Sequence, residues 1–158
     1  MAWITPITDR IQADVDNAKA IRANKIQTGG TPTSAEYETL DRGSITHETL
    51  NRIENNQAYL KSLLNEAGYW GIPTTNKTDW DTDDILRAED WQRILDNEDI
   101  LKAAYFTYMD TPQTLNTLLT YGNLNSVEKI LDDLNSMILS MQYYYRQCGT
   151  FECGEARS

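Results

Sequence analysis

The phrase Leu50-Asn51-Arg52-Ile53-Glu54 returns 74 residues later as Leu124-Asn125-Ser126-Val127-Glu128, and each copy opens a stretch with apolar residues at helical spacing. At the same offset Thr8 matches Thr82, Asp9 matches Asp83, Ile11 matches Ile85, Asp16 matches Asp90, Ile26 matches Ile100, Thr46 matches Thr120 and Leu60 matches Leu134. A repeated unit usually buries its apolar face against its own copy. The expectation is an all-α helical bundle built from two pseudo-repeated helical halves of about 74 residues each, joined by loop-rich connectors. The halves are residues 1–74 and 75–148, with a C-terminal tail at 149–158. The rival account of the matches is chance combined with shared helix grammar.

Periodicity places the helices. Thr8 is a good N-cap, and Ile11, Val15, Ala18 and Ile21 predict a first helix over 9–27. Gly29, Gly30 and Pro32 stop it, leaving a loop with at most a short helical turn at 35–40. Asn51 with Glu54 resembles a capping box, and Thr46 is an alternative cap one turn earlier. Leu50, Ile53, Leu60 and Leu64 then form one stripe, broken by Gln57 and ending near Gly68. The polar, proline-bearing run 71–80 reads as the hinge between halves. Thr82, Asp83 and Asp84 are expected to begin a third helix carrying Ile85, Ala88, Trp91 and Leu95, ended by Asp110-Thr111-Pro112. The strongest period lies in a last helix over 125–146, with Val127, Leu131, Leu134, Ile138, Met141 and Tyr145 at four- and three-residue steps.

Charge and length exclude several classes. The 158 residues suit a single shared core, and 24 acidic against 14 basic side chains give a formal net charge of -10, which repels phosphate backbones and anionic headgroups. Neither nucleic acid nor a membrane is an expected partner. The longest apolar runs fall far short of the roughly 20 residues that span a bilayer, and the first residues have neither the basic nor the apolar region of a signal peptide, so a soluble product released in the cytoplasm is expected.

No constellation carries chemistry. The run Asp79-Trp80-Asp81-Thr82-Asp83-Asp84 begins like a calcium loop, but the positions requiring glycine and glutamate hold Asp84 and Asp90. Cys148 and Cys153 fit two free thiols, a small disulfide loop or half a metal site, and the sole histidine, His47, is remote in sequence. His47 lies beside Thr46 and Glu48 without the order of a nucleophile and its oriented base. No nucleophile elbow or phosphate-binding loop is present. The chain is therefore expected to be no enzyme, with no cofactor and no metal. Aromatic side chains outside the core stripes are the candidates for partner contact instead: Trp3 beside Pro6, Trp70 beside Pro73, Trp80, and the collar Tyr143, Tyr144 and Tyr145.

Across Trp3 to Val15, Leu50 to Glu54, Pro73 to Trp80 and Asn125 to Leu134, the sequence resembles a group of tail-associated structural proteins carried by phages and prophages of Gram-positive, Clostridium-like bacteria. Members of that group occur alone or as the N-terminal part of fibre-like proteins. The resemblance implies a small tail or baseplate accessory subunit in the virion, joining larger tail proteins and present in several copies that contact one another or a symmetric ring. The alternatives are a head decoration or fibre-base protein, and a host-directed binding protein outside the virion.

Overall fold

Five α-helices and no strand make up the described residues, 2–148, of the computed structural model. They are α1 (Gln12–Asn24), α2 (Ser34–Gly43), α3 (His47–Glu66), α4 (Ala88–Ala104) and α5 (Tyr121–Cys148). The all-α expectation holds. The tail 149–158, with Cys153, lies outside the described residues, as do the side chains of Tyr144, Tyr145 and Cys148.

Local chemistry explains most boundaries. Thr46 caps α3, its hydroxyl oxygen accepting the Thr49 N–H at 3.1 Å, so the alternative cap is the real one. The run 34–43 is a full helix rather than a short turn, because Glu36 accepts the Thr33 N–H at 2.8 Å in a reciprocal cap. α4 starts at Ala88, later than the expected Thr82. Asp81 instead closes a local turn by accepting the N–H groups of Asp83 (2.8 Å) and Asp84 (3.2 Å), while Lys77 holds the Asp84 carboxylate. Ile85, expected on an apolar face, is therefore exposed.

α1 and α2 form a close hairpin. At their crossing, a Cβ on Gly43 would sit 1.9 Å from the Asp14 carbonyl oxygen, so only glycine permits this approach. The other three helices build the core, with Ile53, Leu60 and Leu64 of α3, Ile94 and Leu101 of α4, and Val127, Ile130, Leu131, Leu134 and Ile138 of α5 fully buried. One buried cluster thus draws on residues from both sides of position 74.

These three helices run in the same direction. Glu54 of α3 pairs with Arg93 of α4, Gln57 with Ile94 and Glu98, and past the helix ends the rings of Tyr69 and Tyr105 meet. The N-terminal segment 2–11 passes Tyr59 and Asn56 at Trp3 and Ile4, then Glu128 at Ile7 and Asn125 at Arg10, and so travels against both α3 and α5. Parallel helices need return segments as long as themselves, and 67–87 and 105–120 provide them.

Candidate functional site

Two extended segments lace the bundle with the same chemistry. In the groove between α5 and α3, Asn125 brackets the backbone of Arg10, accepting its N–H at 3.1 Å and donating to its carbonyl at 2.9 Å. One turn on, Glu128 accepts the Ile7 N–H, the Arg10 guanidinium at 2.6 Å and a two-pronged contact from Arg52 of α3, both prongs at 3.1 Å. In the groove between α3 and α4, Asn51 brackets Trp80, with both bonds at 2.8 Å. Glu54 accepts the Lys77 N–H at 2.5 Å, the Trp80 indole N–H at 2.9 Å and both prongs of Arg93 from α4. A further asparagine brackets each segment at its other end: Asn56 holds Ile4, and Asn97 holds Thr75.

Each carboxylate is thus saturated by one backbone N–H, one side chain three residues further along the same segment, and one arginine from the neighbouring helix. A buried carboxylate surrounded in this way leaves no lone pair wanting. Arg52 is also held by Asp41 at 2.6 Å. Burial pushes the Asp41 carboxyl up, but hydrogen bonds from Thr49 and Arg52 outweigh it and leave the group below the usual carboxylate range.

The repeated Asn-x-x-Glu phrase is therefore a clamp for extended backbone, not a helix cap. A second recurrence, unnoticed in the sequence reading, completes the pattern: Arg52-Ile53-x-x-Asn56-Gln57-x-x-Leu60 returns 41 residues later as Arg93-Ile94-x-x-Asn97-Glu98-x-x-Leu101. What recurs in space is the interface of two helices and one segment. The third groove, between α4 and α5, has Gln92 and Leu95 at the equivalent α4 positions. Its segment is held by other means, a Thr111 hydroxyl bond to Asp133 at 2.6 Å and Lys102 on the Gln113 carbonyl at 2.9 Å.

This lacing decides which aromatic candidates are available to a partner. Trp80 is buried, with its N–H on Glu54, so it is a lacing residue and not a docking residue. Trp3 is half-buried against Tyr59, Pro6 is half-buried on the same segment, and Pro73 is exposed on the connector. Trp70 and Tyr143 are exposed, and because α3, α4 and α5 are parallel they lie at one end of the bundle. The backbone of α5 carries Tyr144 and Tyr145 to that end as well.

At that end the Tyr69 and Tyr105 rings meet edge to face at 5.5 Å, with Phe106 against Tyr105 at 6.1 Å. Burial, then the Tyr69 hydroxyl, raise the Tyr105 phenol above its ordinary value. Trp70 and Phe106 flank this packed pair, each 78% exposed, and Met109 projects fully into solvent. The segments 67–76, 103–109 and 134–145 contain no Asp, Glu, Lys or Arg. Sequence reasoning found Trp70 and the tyrosines of α5 but missed Tyr69 and Phe106, whose signal was the absence of charge around them.

A cleft of about 500 Å³ opens between α2, the start of α3 and the 81–84 turn, and is lined by Arg22, Tyr37, His47, Glu48, Asp81 and Asp84. No group of three His, Cys, Asp or Glu side chains among the described residues is placed to hold a metal ion. No helix of the described residues is long and apolar enough to cross a membrane. Among the described residues the protein is all-helical, with three parallel helices that carry exposed aromatic side chains at one end. Comparison with known proteins adds no relative: no family model, curated protein or solved structure matches the chain.

Proposed function

We propose that this chain is a structural assembly subunit of a phage tail or baseplate, and that it docks onto other tail proteins through the aromatic end of its helical bundle. The observation that carries the reading is that end, where Tyr69, Trp70, Phe106 and Tyr143 stand exposed on chain segments without charge. Scattered surface apolar side chains are ordinary, but a contiguous aromatic platform in an acidic protein is the composition of an interface centre. The segments that carry the resemblance to tail-associated proteins include the lacing residues Ile4, Ile7, Arg10, Asn51, Glu54, Lys77, Trp80, Asn125 and Glu128. The likeness therefore rests on residues that hold this architecture together.

Descent of 1–74 and 75–148 from one duplicated unit belongs to the same proposal, supported by the matching clamps at Asn51 with Glu54 and Asn125 with Glu128. The α1–α2 hairpin has no two-helix counterpart in the second half, where α4 stands alone before α5. The test is mass spectrometry of purified tailed particles, with immunogold labelling to locate the protein. Presence at the tail tip or baseplate is expected. Labelling of the head would favour a decoration protein, and absence from particles that contain their other tail proteins would overturn the virion reading.

A further inference from the structure

Helix α4 carries a buried acid and a strap-holding cation one turn apart. Glu98 is fully buried; one carboxyl oxygen accepts the Gln57 amide at 2.9 Å and the other meets no hydrogen-bond partner. Lys102 donates to the Gln113 carbonyl at 2.9 Å and pairs with Asp99 at 2.9 Å. An acid four residues before a lysine shares its helix face, the favoured order for an ion pair. Yet Lys102 reaches outward, to the strap and to Asp99, and the reason lies in the acid. A carboxyl buried with one bare oxygen and a neutral donor on the other has nothing to replace the water a charge would lose, so it keeps its proton. We infer that Glu98 and Lys102 form a proton-controlled latch, in which loss of the Glu98 proton to solvent draws the Lys102 ammonium inward and frees residues 112–115 from α4.

The surroundings of the carboxyl select Lys102 for this movement. α4 itself faces Glu98 with Lys102 and Asp99, α5 with Glu128, and α3 with the neutral Gln57. Glu128 repels a charged Glu98, and the nearby guanidiniums are committed, Arg10 to Glu128 and Ile7, Arg52 to Glu128 and Asp41. Gln57 already spends its amide hydrogens on Glu98 and the Ile94 carbonyl. Lys102, its side chain 11% exposed, already lies against the bundle. Its present partner Asp99 is 68% exposed, and such a pair contributes little, whereas a buried carboxylate without a cation is costly. Burial raises the Glu98 pKa to about 8, so the latch turns just above neutrality. The third strap is built to respond. Between the Thr111 bond to Asp133 and the Asn123 bond to the Asn116 carbonyl at 3.3 Å, it is tied to the bundle by Lys102 and by Leu115 against the core. The other two straps are gripped by asparagine brackets and saturated carboxylates. The third leads out of Tyr105 and Phe106, so one buried proton is felt at the aromatic end.

Electron paramagnetic resonance of the full chain, with Cys148→Ser and Cys153→Ser, tests the latch through a nitroxide attached at Thr114→Cys and a control nitroxide at Thr78→Cys on the 74–80 strap. Both positions are exposed, so labelling leaves the fold intact, which circular dichroism at each pH verifies. The mobile fraction at Thr114 should rise about three-fold or more between roughly pH 6.5 and 9 while Thr78 stays unchanged. The midpoint should fall at about 8. Glu98→Gln should hold Thr114 in its low-pH spectrum throughout, and Lys102→Met should give the mobile spectrum at both pH values. A Thr114 label that is mobile at low pH or unresponsive to pH, an equal rise at Thr78, or a pH step that survives either substitution overturns the latch.

Discussion

Replacing Glu98 by glutamine should abolish most of the pH dependence of stability between pH 5 and 8. Glu98 lies on α4 in the middle of the bundle, fully buried; one oxygen accepts the Gln57 amide at 2.9 Å and the other has no hydrogen-bond partner. Burial raises its pKa to about 8, against the smaller downward pulls of the Gln57 hydrogen bond and Lys102, and with Asp99 and Glu128 adding to the rise. The folded protein thus keeps this carboxyl protonated at neutral pH, whereas the unfolded chain ionises it near 4.5. Between those two values the unfolded state binds fewer protons, so stability falls as pH rises, by about 1.4 kcal/mol per pH unit, and the loss ends above the folded pKa. At pH 7 the accumulated loss is about 3 kcal/mol, an upper figure for one group. Glutamine is nearly isosteric, can keep the contact with Gln57, and places an amide where the carboxyl already lacks a partner, so the substitution isolates the ionisation. Asp14, Glu36, Asp41 and Asp84, whose pKa values are lowered, lose their stabilising contribution only as pH falls below the ordinary carboxylate range, outside this window. Urea denaturation at pH 5 and pH 7.5 should show the two proteins nearly equal at the lower pH and Glu98→Gln more stable by about 3 kcal/mol at the higher. Parallel curves with no gain would refute the buried, neutral Glu98.

Glu128→Ala leaves the buried guanidinium of Arg10 without its charge partner and should cost about 3–5 kcal/mol by denaturant unfolding; Glu54→Ala should cost less, because its partner Arg93 remains partly in water. Equal losses would show that burial of the arginine is not the deciding term. Asn125→Ala and Asn51→Ala each remove two backbone hydrogen bonds, worth about 1–3 kcal/mol where burial leaves the partners unpaired, but they should act on different segments. Amide exchange should quicken at Arg10 in the first and at Trp80 in the second, and a uniform effect would contradict separate clamps. Gly43→Ala drives a methyl into the backbone of α1, so exchange should rise throughout α1 and α2 while α3, α4 and α5 keep their protection, at a cost of about 1–3 kcal/mol.

The parts of this fold written in local pattern were legible. Val127, Leu131, Leu134 and Ile138 alternate in four- and three-residue steps and lie fully buried on α5, and Trp91, expected on an apolar face, packs into the core. Asn51 and Glu54 were recognisable as a recurrence, but their purpose was not, because it depends on chain segments distant in sequence that return along the groove. Gln57 looked like a flaw in its stripe; it is buried with its amide on Glu98 and on the Ile94 carbonyl. The start of α4 was misplaced because Thr82 and its neighbouring aspartates are good capping residues, and nothing nearby in sequence reveals that Asp81 and Lys77 close a turn first. The helix direction that brings Trp70 and Tyr143 to one end was hidden for the same reason: spacing along a chain does not tell parallel from antiparallel neighbours until the connectors are traced.

Lacing by a leading segment imposes an order of events during synthesis. Ile7 and Arg10 emerge from the ribosome more than a hundred residues ahead of Glu128 and Asn125, their partners in the groove between α3 and α5. Until those partners emerge, the isolated Arg10 side chain stays in water, and the groove that will bury it is only half built. The α3–α4 pair with its Trp80 strap can close first, and the beginning of the polypeptide is threaded into place last, so contacts of such long range should make folding slow for an all-helical protein of this size.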